Sequence, residues 1–162
     1  MDMMRIGVLS DTHGHLARTE LAARVFRRLE VAAVIHCGDI GSPEVVELLA
    51  EWPSHFVFGN VDDWHELRAA IRRLGMTCHE RFGTLELEGK KIAILHGDDA
   101  ERFDATIRSS RWDLVCHGHT HVAEVYVHGS TKILNPGAVY RSARPSVAIV
   151  DLPELRIAPV AI

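Results

Sequence analysis

The sequence has no long apolar run, no excess of basic residues and no paired cysteine motif, and each absence excludes a class of protein. None of its apolar runs approaches the ~20 residues needed to cross a bilayer, so we expect no membrane partner. A formal net charge of −4 gives no basic surface for a nucleic-acid backbone, which argues against sequence-specific nucleic-acid binding. The three cysteines form no C-x-x-C pair, and the start lacks a targeting segment, so we expect a cytoplasmic protein.

The composition is that of an ordinary globular chain. With 47% hydrophobic and 25% charged residues, it shows none of the bias that accompanies disorder. A chain of 162 residues buries roughly 70% of its unfolded surface, which is enough for a sizeable core. We therefore expect one domain over residues 1–162.

The order of apolar and amphipathic segments predicts an α/β fold. In the first half, short apolar strands alternate with amphipathic helices, whereas the second half is mostly strands after one helix. The predicted helices are 16–30, 43–51, 62–74 and near 100 to 110. The predicted strands are 5–10, 32–37, 55–58, 84–87, 91–97, 113–118, 123–129, 132–135, 146–152 and 155–162. We expect a second sheet to pack on the first, with helices covering the outer faces.

Potential metal ligands follow five of the apolar runs. In open α/β sheets the carboxyl ends of the strands converge on one crevice, so residues far apart in sequence can meet there. The alternative is that Asp and Asn simply mark turns, and for Asp39 or Asn60 alone that interpretation is favoured. The presence of potential ligands after five separate apolar runs, however, favours a metal site. The residues are Asp11, His13, Asp39, Asn60, His96, His119 and His121.

This donor set suits transition metals. Two Asp, one Asn and four His are a hard and borderline mixture that fits Mn²⁺, Fe²⁺, Zn²⁺ or Ni²⁺ better than Ca²⁺. Seven ligands are too many for one tetrahedral ion but suffice for two if one carboxylate bridges them. Two ions about 3.5–4 Å apart are the arrangement that clamps a phosphate during in-line attack.

The motifs D-x-H, G-D, G-N, H and G-H-x-H, in this order from Asp11 to His121, resemble the calcineurin-like metallophosphoesterase superfamily. The short length, "SDTHGH", "GNVDD" and a late "NPG" are similar to its small bacterial and archaeal phosphodiesterase branch, which is related to the retromer subunit of eukaryotes. This resemblance implies a four-layer α/β/β/α sandwich of two mixed sheets.

The resemblance also implies a role for each ligand. Asp11, His13 and His121 are expected to hold one ion. Asn60, His96 and His119 are expected to hold the other, and Asp39 to bridge the two. His117 lies outside the family's ligand set and is expected to be a structural neighbour.

The implied activity is hydrolysis of small or nucleotide-like phosphodiesters. Two divalent ions, with Mn²⁺ as the first choice and Fe²⁺, Ni²⁺ or Zn²⁺ as alternatives, lower the pKa of a shared water so that hydroxide can attack phosphorus. Asn60 and His119 are expected to help stabilise the charge that develops.

The sequence departs from the superfamily at Val61. Larger members carry a histidine there, in G-N-H-[DE], which acts as the general acid for the leaving group. Without it, we expect good leaving groups to react best, with a loss of about 10²-fold or more. The next residue, Asp62, is expected to be exposed and ionised and to cap the following helix.

Two other functions stay open. One is a non-catalytic interaction scaffold of the retromer-subunit type, and the other is a phosphomonoesterase or nuclease with the same metal pair. At the rim of the site, His15 is a candidate substrate contact. For Arg141 and Arg144, surface pairing or a subunit contact in a homo-oligomer is favoured over contact with a substrate phosphate. His36 and His55 are expected to be solvated or to act as caps.

Overall fold

The computed structural model describes residues 3–162, which form eleven strands and four helices. The helices are α1 (Leu16–Arg28), α2 (Pro43–Leu48), α3 (Trp64–Arg73) and α4 (Ala100–Arg108). The strands are β1 (Met4–Leu9), β2 (Ala33–His36), β3 (Ser54–Phe56), β4 (Thr77–Cys78), β5 (Phe82–Leu87), β6 (Lys90–Leu95), β7 (Leu114–Cys116), β8 (Glu124–His128), β9 (Thr131–Asn135), β10 (Ser146–Leu152) and β11 (Arg156–Ala161).

The strands form two mixed sheets. The six-stranded sheet has the order β11-β10-β1-β2-β3-β4, and the five-stranded sheet has the order β5-β6-β7-β9-β8. Strands β1 to β4 are mutually parallel, as are β6, β7 and β9. The antiparallel pairs are β1 with β10, β10 with β11, β5 with β6, and β8 with β9. This architecture confirms the predicted class of two mixed sheets flanked by helices.

Three buried layers hold the sheets and helices together. Between the sheets, fully buried side chains of both, such as Val8 and Ile94, form one apolar layer. On the outer face of the six-stranded sheet, α1 packs so closely that a side chain at Gly7 would lie 2.6 Å from the ring of Phe26. The outer face of the five-stranded sheet is covered by α4 through Ile107. The order of layers is therefore helix, sheet, sheet, helix.

Several element boundaries differ from the sequence prediction. Helix α3 begins at Trp64 rather than at residue 62, because the carboxylate of Asp63 accepts hydrogen bonds from the backbone N–H groups of His65 and Glu66. The prediction that Asp62 caps this helix is wrong. The short strand β4, which extends the six-stranded sheet, was not predicted, since two residues carry no readable periodicity.

Within residues 3–162, no helix combines the length and the apolar character needed to span a membrane.

Candidate metal centre

The five predicted ligand loops lie at the carboxyl ends of β1, β2, β3, β6 and β7, and backbone hydrogen bonds join them. The N–H of Asp11 donates to the carbonyl of Gly38, and the N–H of His13 donates to the carbonyl of Asp39, both at 3.0 Å. The N–H of Gly118 donates to the carbonyl of His96, also at 3.0 Å. These bonds hold loops that are distant in sequence in one fixed arrangement.

The backbone is strained at most of the predicted ligands. Five of the seven have a positive φ, a region that non-glycine residues rarely adopt and that costs of order 1 kcal/mol or more each. Such strain persists only where the surroundings impose it, and it concentrates at functional sites. The five residues are Asp11 (56°), His13 (46°), Asp39 (54°), His119 (72°) and His121 (65°).

Two glycines allow the loops to approach one another. A Cβ at Gly118 would collide with the hydroxyl of Ser10 and lie 2.6 Å from Oδ2 of Asp11. A Cβ at Gly59 would collide with the carboxylate of Asp39 and lie 2.5 Å from its backbone nitrogen. Any larger residue at either position would push a predicted ligand away from the site.

The first group of ligand atoms comes from Asp11, His13 and His121. Oδ1 of Asp11 lies 3.2 Å from Nε2 of His121 and 3.6 Å from Nε2 of His13. The two imidazole nitrogens are 3.5 Å apart. These three atoms face one another closely enough to bind a single cation, and they are the three residues that the sequence assigned to one ion.

The second group comes from Asp11, Asp39 and His96. Nε2 of His96 lies 3.2 Å from Oδ2 of Asp39 and 4.0 Å from Oδ1 of Asp11. Oδ2 of Asp39 is also 3.8 Å from Nε2 of His13, so this carboxylate reaches a member of each predicted ligand set. Asp11 belongs to both groups, whereas the family resemblance implies that Asp39 is the shared ligand.

Two buried polar atoms at the centre have no hydrogen-bond partner within residues 3–162. They are Oδ1 of Asp11 and Nε2 of His96. The other oxygen of Asp11 is satisfied, since it accepts from Ser10 Oγ at 2.6 Å and from the N–H of His119 at 3.2 Å. An unpaired buried carboxylate oxygen and imidazole nitrogen are costly unless a cation binds between them. The residues present therefore fit a metal ion.

Backbone carbonyls orient two of the imidazoles. Nδ1 of His96 lies 2.8 Å from the carbonyl of Cys37, and Nδ1 of His121 lies 3.3 Å from the carbonyl of Arg141. A carbonyl can only accept, so each Nδ1 carries a proton, and the neutral form of each imidazole has its lone pair on Nε2, facing the site. This tautomer is the one that a metal-ligating histidine needs.

The carboxylates are held in their charged form. Burial raises the pKa of Asp11, but the nearby imidazole of His13 and the hydrogen bond from Ser10 outweigh burial and bring it to about 2. Burial likewise raises the pKa of Asp39, and its interaction with His96 turns the net shift downward. Both side chains are therefore anionic at neutral pH, as metal ligands must be.

The remaining two predicted ligands lie at the margin of these groups. The ring of His119 meets that of His96 edge to face, with centroids 5.1 Å apart. Asn60 is exposed in the loop after β3, and the N–H of its neighbour Val61 donates to Oδ1 of Asp39 at 3.3 Å. The structure thus groups five predicted ligands tightly, with His119 beside them and Asn60 in an adjoining loop.

His117 takes no part in either group. Its buried ring packs against Phe103 with centroids 4.4 Å apart, and its Nδ1 lies 3.1 Å from the carbonyl of Gly118. Burial lowers its pKa to about 4. Of the alternating histidines of "HGHTH", His117 therefore packs away from the centre that His119 and His121 adjoin.

The prediction that Asp62 is exposed is also wrong, because its side chain is half-buried. Its carboxylate accepts from the N–H of Gly59 at 2.8 Å and from the N–H of Gly41 at 3.0 Å. Burial raises its pKa above the usual value for aspartate. Asp62 ties together the loops that carry Asp39 and Asn60, a positioning role that sequence spacing does not reveal.

His36 was expected to be solvated or capping, but it is completely buried beneath the site. Its Nδ1 accepts from the N–H of Gly38, and its Nε2 lies 3.0 Å from Oγ1 of Thr12, which itself donates to a carbonyl. This network requires a neutral imidazole, and burial lowers the pKa of His36 to about 3.

A pH dependence of stability follows for the metal-free protein. Unfolded His36 takes up a proton near pH 6.5, whereas folded His36 stays neutral to about pH 3. Below pH 6.5 the unfolded state therefore binds more protons, and His36 contributes a loss of up to about 1.4 kcal/mol per pH unit. Denaturant unfolding in a chelator between pH 7.5 and 5 measures the slope. His36→Gln should flatten it by about that amount, and an unchanged slope would contradict this assignment.

This fold, with carboxylates and imidazoles gathered at the strand ends, is that of the metal-dependent phosphoesterase class. A model of the Calcineurin-like phosphoesterase superfamily domain matches residues 4–154, so the chain belongs to this family. The resemblance carried by the motifs from Asp11 to His121 is therefore confirmed.

The relatives include named phosphodiesterases. A phosphodiesterase of Methanocaldococcus jannaschii is 29% identical over 154 residues, which cover 91% of this chain and 93% of the relative. A probable metallophosphoesterase of Methanothermobacter thermautotrophicus is 30% identical, covering 92% of this chain and 86% of the relative. The solved structure of an archaeal phosphodiesterase has a TM-score of 0.90 and 26% identity, covering 98% of this chain and 100% of its own.

The fold alone is shared more widely. Vacuolar Protein Sorting 29 from Cryptosporidium parvum has a TM-score of 0.67 and 18% identity, covering 99% of this chain and 97% of its own.

Proposed function

We propose that this chain is a phosphodiesterase that hydrolyses small or nucleotide-like phosphodiesters with two divalent ions, Mn²⁺ foremost. The observation that carries the proposal is the pair of ligand groups that share Asp11 and contain its unpaired Oδ1. The phosphodiesterase names of the relatives support the same reaction class.

The proposed division of ligands follows the family motif. One ion is held by Asp11, His13 and His121, whose ligand atoms lie within 3.6 Å of one another. The other is held by His96 with His119 and Asn60. The position of Asp39 Oδ2, 3.2 Å from His96 and 3.8 Å from His13, supports a bridging role for Asp39.

When bound, the two ions supply positive charge to the phosphate oxygens and lower the pKa of a water enough for it to attack phosphorus. The chain supplies the fixed geometry. Loop hydrogen bonds and strained backbone hold the carboxylates before substrate arrives, so little reorganisation is needed during the reaction. His119 and Asn60, which the family motif places in the site, are proposed to help stabilise the charge that develops on the phosphate.

A scaffold function is the second candidate, and Val61 is the observation that favours it. Its side chain is 60% exposed beside the site and cannot donate a proton to a leaving group. The retained ligands argue for catalysis, because a scaffold has no need of an unpaired buried carboxylate oxygen.

We place the protein in the cytoplasm, where its free thiols Cys37, Cys78 and Cys116 stay reduced.

A substrate panel tests the proposal. Protein stripped with chelator and reloaded with Mn²⁺, Ni²⁺, Zn²⁺ or Fe²⁺ is assayed with bis(4-nitrophenyl) phosphate and with 4-nitrophenyl phosphate. We expect hydrolysis of the diester that depends on added metal and much slower hydrolysis of the monoester.

Two variants complete this test. His96→Ala should abolish the activity, whereas His128→Ala, which removes an exposed imidazole from the end of β8, should retain it. A folded protein that hydrolyses neither ester with any of the four metals would favour the scaffold. Faster hydrolysis of the monoester would favour a phosphomonoesterase.

A further inference from the structure

A cavity of about 530 Å³ opens beside the metal centre, and His121 forms part of its wall. Its volume is within the range of roughly 300–1,000 Å³ that is usual for small-molecule sites. The rest of the wall comes from two short loops, 120–123 and 141–144. A substrate whose phosphate lies at the ligand groups therefore has room to extend past His121 into this cavity.

Two arginines on the cavity wall have no partner within residues 3–162. The guanidinium groups of Arg141 and Arg144 form neither an ion pair nor a hydrogen bond with any described residue. Some other arginines are paired, as Arg68 is with Glu80 and Arg81 is with Asp98, both at 2.6 Å. The surface pairing expected for Arg141 and Arg144 is thus not found in residues 3–162.

The backbone fixes these arginines relative to the metal centre. Arg141 has a φ of 63°, a strained conformation for a residue with a side chain, and its carbonyl lies 3.3 Å from Nδ1 of His121. The hydroxyl of Ser142 accepts from the N–H of Arg144 at 3.1 Å, which closes the loop into a turn. One strained loop therefore both orients a predicted metal ligand and presents two guanidinium groups beside it.

The charge of the chain makes these guanidinium groups significant. The net charge of the chain is −4, so a second phosphate that lies away from the metal ions is favoured only where positive charge is concentrated. Guanidinium groups match the geometry of phosphate oxygens and form bidentate hydrogen bonds with them. The apolar side chains of Val122, Ala123 and Ala143 complete the cavity and suit a sugar or base.

We infer that this cavity binds the retained part of the substrate, and that Arg141 and Arg144 bind a second phosphate on it. The inference rests on the proposed function and narrows its substrate class to diesters that carry a further phosphate group. The leaving group is then expected toward Asn60 and Val61, which are not among the residues that line this cavity.

The test compares two probes with the same leaving group. They are thymidine 5′-(4-nitrophenyl phosphate) and the same compound with a 3′-phosphate, assayed with Mn²⁺-loaded protein at constant ionic strength. We expect kcat/KM to be about tenfold or more higher for the 3′-phosphorylated probe, mainly through a lower KM, since a hydrogen bond to a charged group has about this effect.

Variants test which arginines cause the higher kcat/KM for the 3′-phosphorylated probe. Arg144→Ala should reduce the ratio of kcat/KM between the two probes by about threefold or more, and the double variant with Arg141→Ala should bring the ratio to about one. Arg144→Lys should restore part of it. The control is Arg28→Ala, which removes the same charge from the last turn of α1 and should leave the ratio unchanged. Metal content is measured for each variant, since the loop also orients His121.

A binding measurement separates failure of this inference from failure of the proposed function. Metal-free protein is titrated with thymidine 3′-phosphate and with thymidine, followed by NMR. Binding of thymidine 3′-phosphate but not of thymidine, weakened about threefold or more by Arg144→Ala, supports the inference even if neither probe is hydrolysed.

Three results would overturn the inference. Equal kcat/KM for the two probes, or a preference that Arg28→Ala lowers as much as Arg144→Ala does, would overturn it. Phosphate binding that Arg144→Ala does not weaken would also overturn it.

Discussion

Replacing Asp39 with alanine is expected to remove both ions and to lower kcat/KM for diesters on the order of 10³-fold. The physical reason is that Oδ2 of Asp39 lies between His96 and His13, so its loss opens both ligand sets at once. Elemental analysis of bound metal and initial rates with bis(4-nitrophenyl) phosphate measure the two effects.

A matched aspartate provides the control for this prediction. Asp63 lies in a neighbouring loop but serves only as the N-cap of α3, so Asp63→Ala should cost about 1 kcal/mol of stability and retain both ions. If Asp39→Ala loses only one ion, Asp39 does not bridge. The bridge would then be Asp11, the carboxylate that both ligand groups contain.

The second large effect concerns the leaving group. Val61 presents an exposed apolar side chain beside the site, so the wild-type protein has no proton donor there. Rates should therefore rise steeply as the leaving alcohol becomes more acidic, with aryl diesters cleaved and alkyl diesters nearly inert.

Val61→His should make the rate depend less steeply on the acidity of the leaving alcohol. A well-placed imidazole contributes about 10²–10⁴-fold, but one without supporting contacts should give about tenfold, most of it for poor leaving groups.

Val61→Asn is the control, because it adds polarity without a group that titrates near neutrality. A plot of log kcat/KM against the pKa of the leaving alcohol should keep the wild-type slope for Val61→Asn and become shallower for Val61→His. If Val61→His folds, retains both metals and shows the wild-type slope, the missing acid does not limit this protein.

Much of the fold could be predicted from the sequence because periodicity reports which side of an element is buried. Helix α1 and strand β10 have clear patterns, and their extents were predicted to within a few residues. The strand β4 has only two residues and carries no such pattern. The start of α3 depends on whether Asp62 or Asp63 caps the first backbone N–H groups of the helix. Asp63 is the cap because the carboxylate of Asp62 accepts hydrogen bonds from Gly41 and Gly59 instead.

The sequence predicts which residues form the candidate site better than it predicts the contacts that orient them. Ligand types after successive strands place Asp11 and His96 at one crevice, because strand ends converge. Spacing carries no information about the backbone carbonyl of Cys37 that orients His96, since any residue has a carbonyl. Nor does it show that Arg141 turns its carbonyl to His121.

The count of bound metal ions tests the central claim most directly. Chelated protein is incubated with Mn²⁺, passed through gel filtration and analysed for metal per chain, with the melting temperature measured before and after. The account predicts about two ions per chain and a rise in melting temperature, because a ligand that binds only the folded state stabilises it. A stoichiometry near zero with no rise in melting temperature would contradict it.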